Sequence, residues 1–260
     1  MNRRLRVLLA DDNPTNRKLV ELLLAQQRHR VTIASNGREA VDRAAAQRFD
    51  LVLMDVQMPE MDGFQATAVI RERERDAGVH TPIIAMTAHA MAGDRERCLS
   101  AGMDAYLSKP LRPDDLLTTI AQFFPADAAP PAAPRAPAIE APRSASSIDQ
   151  EALLADFGHN RKVLIEVIDV FLTDAPAYLE RIRVAAAAHD DGSVAAAAHA
   201  LKGSAGLFSK GAAYEGARAL EQAAKSGDRG ACDVHRRDID SVVRQLCADL
   251  EAVRKSLASE

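Results

Sequence analysis

Five short apolar runs, LRVLLA, VTIA, DLVLMD, PIIAMT and DAYLSK, punctuate the first half of the chain, with helix-length stretches between them. Apolar segments this short, repeated at such spacing, fit a parallel sheet whose strands are buried on both faces and joined by covering helices. The pattern predicts an α/β fold over residues 1–124, a doubly wound five-stranded parallel sheet. Local signals agree with it. Asn13 before Pro14 reads as a helix cap followed by proline at the first helical position. Gly102 after CLSA reads as a helix stop, and Pro113 with Asp114 and Asp115 as the start of the last helix.

The alternation ceases at PADAAPPAAPRAPAIEAPRSASS, residues 125–147, which holds six of the twelve prolines and almost no large apolar residue. Such a segment cannot contribute a core and is expected to be a semi-rigid linker. Residues 148–260 show only helical patterns, rich in Ala, Leu, Glu and Arg, so an all-α bundle of four helices is expected there. Two domains suit a chain of 260 residues with 47% hydrophobic and 27% charged content. The net charge of −4 offers no basic stripe for nucleic acid. No apolar run approaches the ~20 residues that span a bilayer, and MNRRLRVLLADD lacks a cleavage site, so no membrane insertion or secretion is expected. Cys98, Cys232 and Cys247 show no metal or disulfide spacing and suit a reducing, cytoplasmic compartment.

Polar residues at the strand ends carry the chemistry. Asp11 and Asp12 end the first run, Asp55 the third, Thr87 the fourth and Lys109 the fifth, so a parallel sheet brings all five to its carboxyl edge, where ligands bind. Any one of them has a bland reading as a loop cap or ion pair; five at successive strand ends exceed what capping requires. Three crowded carboxylates call for a hard cation, and oxygen ligands suit Mg²⁺. A carboxylate can also attack phosphorus, after which metal, lysine and hydroxyl stabilise the phosphoryl oxygens. Asp55, Lys109 and Thr87 fit those roles.

In the second block, VAAAAHALKGSAGLF places Val194, Ala198, Leu201, Ala205 and Phe208 on one apolar stripe. His199 lies about 200° around the helix from Leu201 at 3.6 residues per turn. It is therefore expected to face outward, among Ala195, Ala196, Lys202 and Gly203, on a surface that Gly203 and Gly206 keep open to a partner. His189, also after four alanines, precedes Asp190, Asp191 and Gly192 and reads as a helix terminus.

LLADDNPTNRKL, DLVLMDVQMPEMDGF, TPIIAMTAHAM and GMDAYLSKPL resemble the signature segments of response-regulator receiver domains, which are flavodoxin-like in fold. The resemblance implies Asp55 as phosphoacceptor and Asp11, Asp12 and the backbone carbonyl of Gln57 as further Mg²⁺ ligands. It also implies Thr87 and Lys109 on the phosphoryl group, Tyr106 as an aromatic switch and a cis bond at Lys109-Pro110. HALKGSA with LEQAAKSGD resembles the histidine phosphotransfer (HPt) domain, which implies His199 as phosphoacceptor assisted by Lys202 and Ser204. Together they imply a phosphorelay protein, as at the carboxyl terminus of hybrid sensor histidine kinases. Its partners would be a sensor histidine kinase and other receiver-domain proteins. No glycine-rich ATP motif is present, so the chain is expected to be a phosphotransfer intermediate and not an enzyme in its own right, whether complete or detached from a longer hybrid kinase. A dehalogenase-type hydrolase would show a second Asp where Gln57 stands, and a non-catalytic adaptor would not need both Asp55 and His199.

Overall fold

The computed structural model describes residues 4–87, 92–124 and 148–259. The chain divides into two compact units, residues 1–135 and 136–260. The expected linker, 125–147, lies outside the described residues.

The first unit alternates β1 (Arg6–Ala10), α1 (Pro14–Gln26), β2 (Arg30–Ala34), α2 (Gly37–Ala46), β3 (Leu51–Asp55), α3 (Gly63–Ala77), β4 (Ile83–Thr87), α4 (Ala92–Ser100), β5 (Ala105–Ser108) and α5 (Pro113–Phe123). All strand pairs are parallel, in the order β2-β1-β3-β4-β5. This is the doubly wound five-stranded sheet expected from the five apolar runs. β3 and β4 are buried at every residue, whereas the edge strands β2 and β5 are partly exposed. One face packs Leu8, Val52, Met54 and Ile83 against Val41, Ile70 and Cys98 from the helices. The caps follow the local chemistry. Asn13 accepts the Asn16 N–H at 3.1 Å with Pro14 opening α1, and Gly102, at φ 90°, ends α4 by donating to the Leu99 carbonyl.

The two ends of the sheet are built differently. At the amino end, the Asp50 carboxylate accepts the Arg6 N–H at 2.8 Å while the Asp50 N–H donates to the Arg6 carbonyl, which ties the entry to β3 to β1. The Arg71 guanidinium donates to the carbonyls of Gly102 and Thr81 and to Asp104, and Asp104 also accepts the Ile83 N–H. These bonds fix the starts of β4 and β5. The carboxyl end carries Asp11, Asp12 and Asp55.

The second unit holds α6 (Gln150–Asp156), α7 (Arg161–Ala187), α8 (Asp191–Ala205), α9 (Ala212–Ser226) and α10 (Arg229–Ser259). The four long helices pack in a ring, each against its two neighbours. α10 buries Ile239, Val243, Leu246, Leu250, Val253 and Leu257, an alternating four-three spacing that makes one apolar seam. Each such side chain contributes roughly 2 kcal/mol on leaving water. The Phe208 ring centroid lies 5.2 Å from that of Phe171 in α7 and 6.2 Å from that of Phe157, and all three rings are buried.

Candidate functional site

At the carboxyl edge of the sheet, β1 delivers Asp11 and Asp12, β3 ends on Asp55, β4 ends on Thr87, and Lys109 follows β5. One oxygen from each of Asp11, Asp12 and Asp55 lies within 4.8 Å of the others. Asp11 and Asp55 are buried and Asp12 is half-buried. The Lys109 ammonium reaches both buried carboxylates, at 2.6 Å from Asp55 Oδ2 and 3.0 Å from Asp11 Oδ2. With all three carboxylates ionised, one ammonium leaves two negative charges in excess, which one divalent cation would balance. The donors are all hard oxygens, so the residues fit Mg²⁺.

Burial pushes the Asp55 carboxyl up, Lys109 opposes this, and the Asp11 charge adds to it, leaving Asp55 at about 8. Burial would pull Lys109 down, but Asp11 and Asp55 outweigh it and hold the ammonium well above its ordinary value. The cluster is therefore a charged lysine beside a carboxyl that gives up its proton readily only when more positive charge arrives.

The side chains that aim this cluster were not legible as such in the sequence. Asp11 accepts the Asn13 N–H at 2.8 Å and the Asn16 side-chain amide at 3.3 Å, while the Arg17 guanidinium holds the Asp11 carbonyl at 2.9 Å. All three belong to NPTNRK, directly after the acidic pair, and that adjacency was the available signal. Asp55 Oδ1 accepts the Gln57 N–H at 3.2 Å. A Cβ on Gly63 would lie 2.1 Å from the Asp55 carbonyl oxygen, so only glycine lets α3 begin against the end of β3. The Lys109-Pro110 bond is cis, as the resemblance implied, and Lys109 donates its backbone N–H to the Thr87 carbonyl at 2.7 Å. Thr87 is buried at the edge, and Tyr106, on β5, is exposed.

The bundle contains a second polar cluster. His199 of α8 meets Glu221 of α9, with His199 Nδ1 at 2.9 Å from Oε1. Lys202 donates to Oε2 at 2.6 Å and Lys225 to Oε1 at 2.6 Å. Burial alone would raise the Glu221 carboxyl, but the bonds from His199, Lys202 and Lys225 overcome it and hold Glu221 well below the usual carboxylate range. An ionised carboxylate only accepts hydrogen bonds, so Nδ1 carries the imidazole proton in the neutral form and Nε2 keeps its lone pair.

Three expectations need correction. The apolar stripe is buried as read, but Ala195, Ala197 and Ala200 are buried too, and the His199 side chain is only 13% exposed. α9 reaches further around α8 than a single stripe implies, so His199 borders the α8–α9 contact and does not stand on an open face. Ser204 is turned into the core: it is buried, donates to the Ala200 carbonyl at 3.2 Å and lies 3.4 Å from the Tyr178 hydroxyl. Gly206 serves packing more than access, since a Cβ there would press on the Tyr214 ring at 3.1 Å. His189 does end a helix, at φ 53° just after α7, donating its N–H to the Ala186 carbonyl. Glu221 and Lys225 were not singled out in LEQAAKSGD, although an acid with a lysine four residues on was visible.

Comparisons with known proteins match the same two regions. Residues 7–121 match the response regulator receiver domain and residues 166–256 match the Hpt domain. Sensor histidine kinase GacS of Pseudomonas protegens is 35% identical over 202 residues, covering 76% of this chain and 22% of that protein. Signal transduction histidine-protein kinase BarA of Escherichia coli is 44% identical over 119 residues, covering 46% of this chain and 13% of that protein. The chain thus spans less than a quarter of the length of either relative. The receiver domain of a sensor histidine kinase from Pseudomonas aeruginosa, solved with magnesium ion coordinated in its active site cleft, is 40% identical. That match covers 48% of this chain and 100% of that one, with a TM-score of 0.43.

Proposed function

This chain belongs to the two-component phosphorelay proteins, as a response regulator receiver domain followed by an Hpt domain, and from that membership we infer a carrier that takes phosphoryl groups on Asp55 and His199. The donor to Asp55 is the phosphohistidine of a sensor histidine kinase. An Asp55 oxygen attacks phosphorus, the phosphorus–nitrogen bond breaks, and its electron pair returns to the imidazole. Asp11, Asp12 and Asp55, with the carbonyl of Gln57, would hold Mg²⁺, which supplies the positive charge that phosphoryl oxygens need. Lys109 stays beside Asp55 and meets one phosphoryl oxygen. The Thr87 hydroxyl meets another, and Tyr106 follows Thr87 as the surface near β4 and β5 changes.

In the Hpt domain, Nε2 of His199 exchanges phosphoryl with the aspartate of a receiver. Glu221 keeps the proton on Nδ1 throughout, which holds the ring in the reactive tautomer. The chain needs no ATP site for this, since the phosphoryl group arrives already activated. We place the boundary between the two functional parts at residues 125–147. Cys98, Cys232 and Cys247 form no disulfide among the described residues, which suits a cytoplasmic setting, and no helix among the described residues is long and apolar enough to cross a membrane.

The observation that carries this reading is that each nucleophile is held from one side by a charged partner, Asp55 by Lys109 at 2.6 Å and His199 by Glu221 at 2.9 Å. Differential stability of the label tests it, because an acyl phosphate is lost in alkali while a phosphohistidine survives alkali and is lost in acid. Charged by a phosphorylated partner, the wild type and His189→Gln should carry alkali-stable label, and His199→Gln none. Charging by a small phosphodonor should give alkali-labile label that requires Mg²⁺ and vanishes in Asp55→Asn. Alkali-stable label that moves with His189 would refute the assignment.

A further inference from the structure

Glu221 holds three donors on two oxygens, and the three are not equivalent. Lys202 has Oε2 to itself, and its side chain is 9% exposed. Lys225 shares Oε1 with the imidazole, at 2.6 Å against 2.9 Å for His199 Nδ1, and its side chain is 51% exposed. It sits four residues after Glu221 in the last turn of α9, before Gly227 ends the helix at φ 70°. The buried lysine cannot leave without stranding a charge in a dry setting, whereas the half-exposed one exchanges its partner against water at little cost.

Electroneutrality asks for one of them to move. Glu221 balances one ammonium, so with neutral imidazole the cluster carries one extra positive charge. A phosphoryl group on His199 brings one to two negative charges beside it. Resting on the reading of His199 as acceptor, we propose that Lys225, and not Lys202, leaves Glu221 to bind the phosphoryl oxygens, while Lys202 remains to keep Glu221 ionised. Lys225 already touches the oxygen that the imidazole touches, so a rotation of its four-carbon stem carries the ammonium along the ring edge without disturbing the helix. The chemical step balances as before: Nε2 gives its electron pair to phosphorus, the leaving atom takes the pair from the broken bond, and the proton on Nδ1 stays against Glu221. Lys202 thus becomes a positioning residue and Lys225 the phosphoryl-binding one.

The test uses the full chain with Asp55→Asn, so that only His199 takes label, and phosphoramidate as the probe, whose nitrogen leaves as ammonia. Lys225→Met should raise the phosphoramidate concentration for half-maximal rate about ten-fold, the scale of one charge-assisted bond made at the surface. Lys225→Arg should restore it to within about two-fold. The melting temperature should stay at its wild-type value in Lys225→Met, since a half-exposed pair adds little stability, and the histidine titration followed by NMR should move less than in Lys202→Met. Lys202→Met should lower the melting temperature and shift that titration, with a smaller effect on half-saturation. Equal half-saturation in Lys225→Met and wild type, or an equal or larger loss in Lys202→Met, overturns the proposal. Label that persists in His199→Gln overturns instead the reading of His199 on which it rests.

Discussion

Removal of the Glu221 carboxylate tests how the bundle tolerates charge. In Glu221→Ala, Lys202 keeps a 9% exposed ammonium with its 2.6 Å partner gone, and His199 loses the acceptor for Nδ1. Removing one member of a buried pair costs about 3–5 kcal/mol, because the remaining charge is left uncompensated. For a helical domain of about a hundred residues, 1 kcal/mol corresponds to roughly 4–8 °C in Tm, so the bundle transition should fall by about 12–40 °C. Replacing both partners by leucine removes the stranded charge, and Glu221→Leu with Lys202→Leu should recover most of the loss. The pH dependence has a definite sign. Glu221 is held below its ordinary 4.5, so its contribution is complete above pH 4.5 and is lost as pH falls toward the depressed value. Calorimetry of the full chain, with the receiver transition as internal reference, measures all three. A bundle transition within 3 °C of wild type in Glu221→Ala, or a double variant less stable than the single one, would refute the reasoning.

Gly63→Ala forces a Cβ to 2.1 Å from the Asp55 carbonyl oxygen, so α3 or the end of β3 must shift. The expected result is a loss of about 2 kcal/mol in urea unfolding together with at least ten-fold weaker Mg²⁺ binding by titration. In the metal-free receiver, Asp55 sits at about 8 against an ordinary 3.8, so the native state binds more protons than the unfolded chain between those values. Receiver stability should therefore fall as pH rises from about 4 to 8, and added Mg²⁺ should raise Tm more at pH 8 than at pH 6; a flat profile counts against it.

The acidic edge was legible in the sequence because a parallel topology converts strand ends into neighbours: once LRVLLA and DLVLMD are strands, Asp11, Asp12 and Asp55 must converge. The bundle was less legible. The helical wheel separates His199 from Leu201 around α8, but it holds no information about how far α9 wraps around α8. Glu221 sits in LEQAAKSGD among residues that also suit a solvated face, and only the packing of α8 on α9 turns it into a buried acceptor. Ser204 was misplaced for a related reason. Its neighbourhood in sequence suggested chemistry, while its bond to the Ala200 carbonyl turns it into the core.

The binding of Asp50 to β1 at the start of β3 bears on which lineages of this chain can persist. β3 is buried on both faces, so hydrophobic burial alone does not resist a slip by one residue: Leu51, Val52, Leu53 and Met54 are nearly interchangeable as ballast. Yet a one-residue insertion or deletion between Asp50 and Asp55 would turn the carboxylate to the opposite side of the sheet or tear Asp50 from the Arg6 backbone. Conservative swaps within the strand should therefore accumulate freely over generations, while changes in its length should be eliminated. Its four-residue interior is a spacer whose composition drifts and whose count does not.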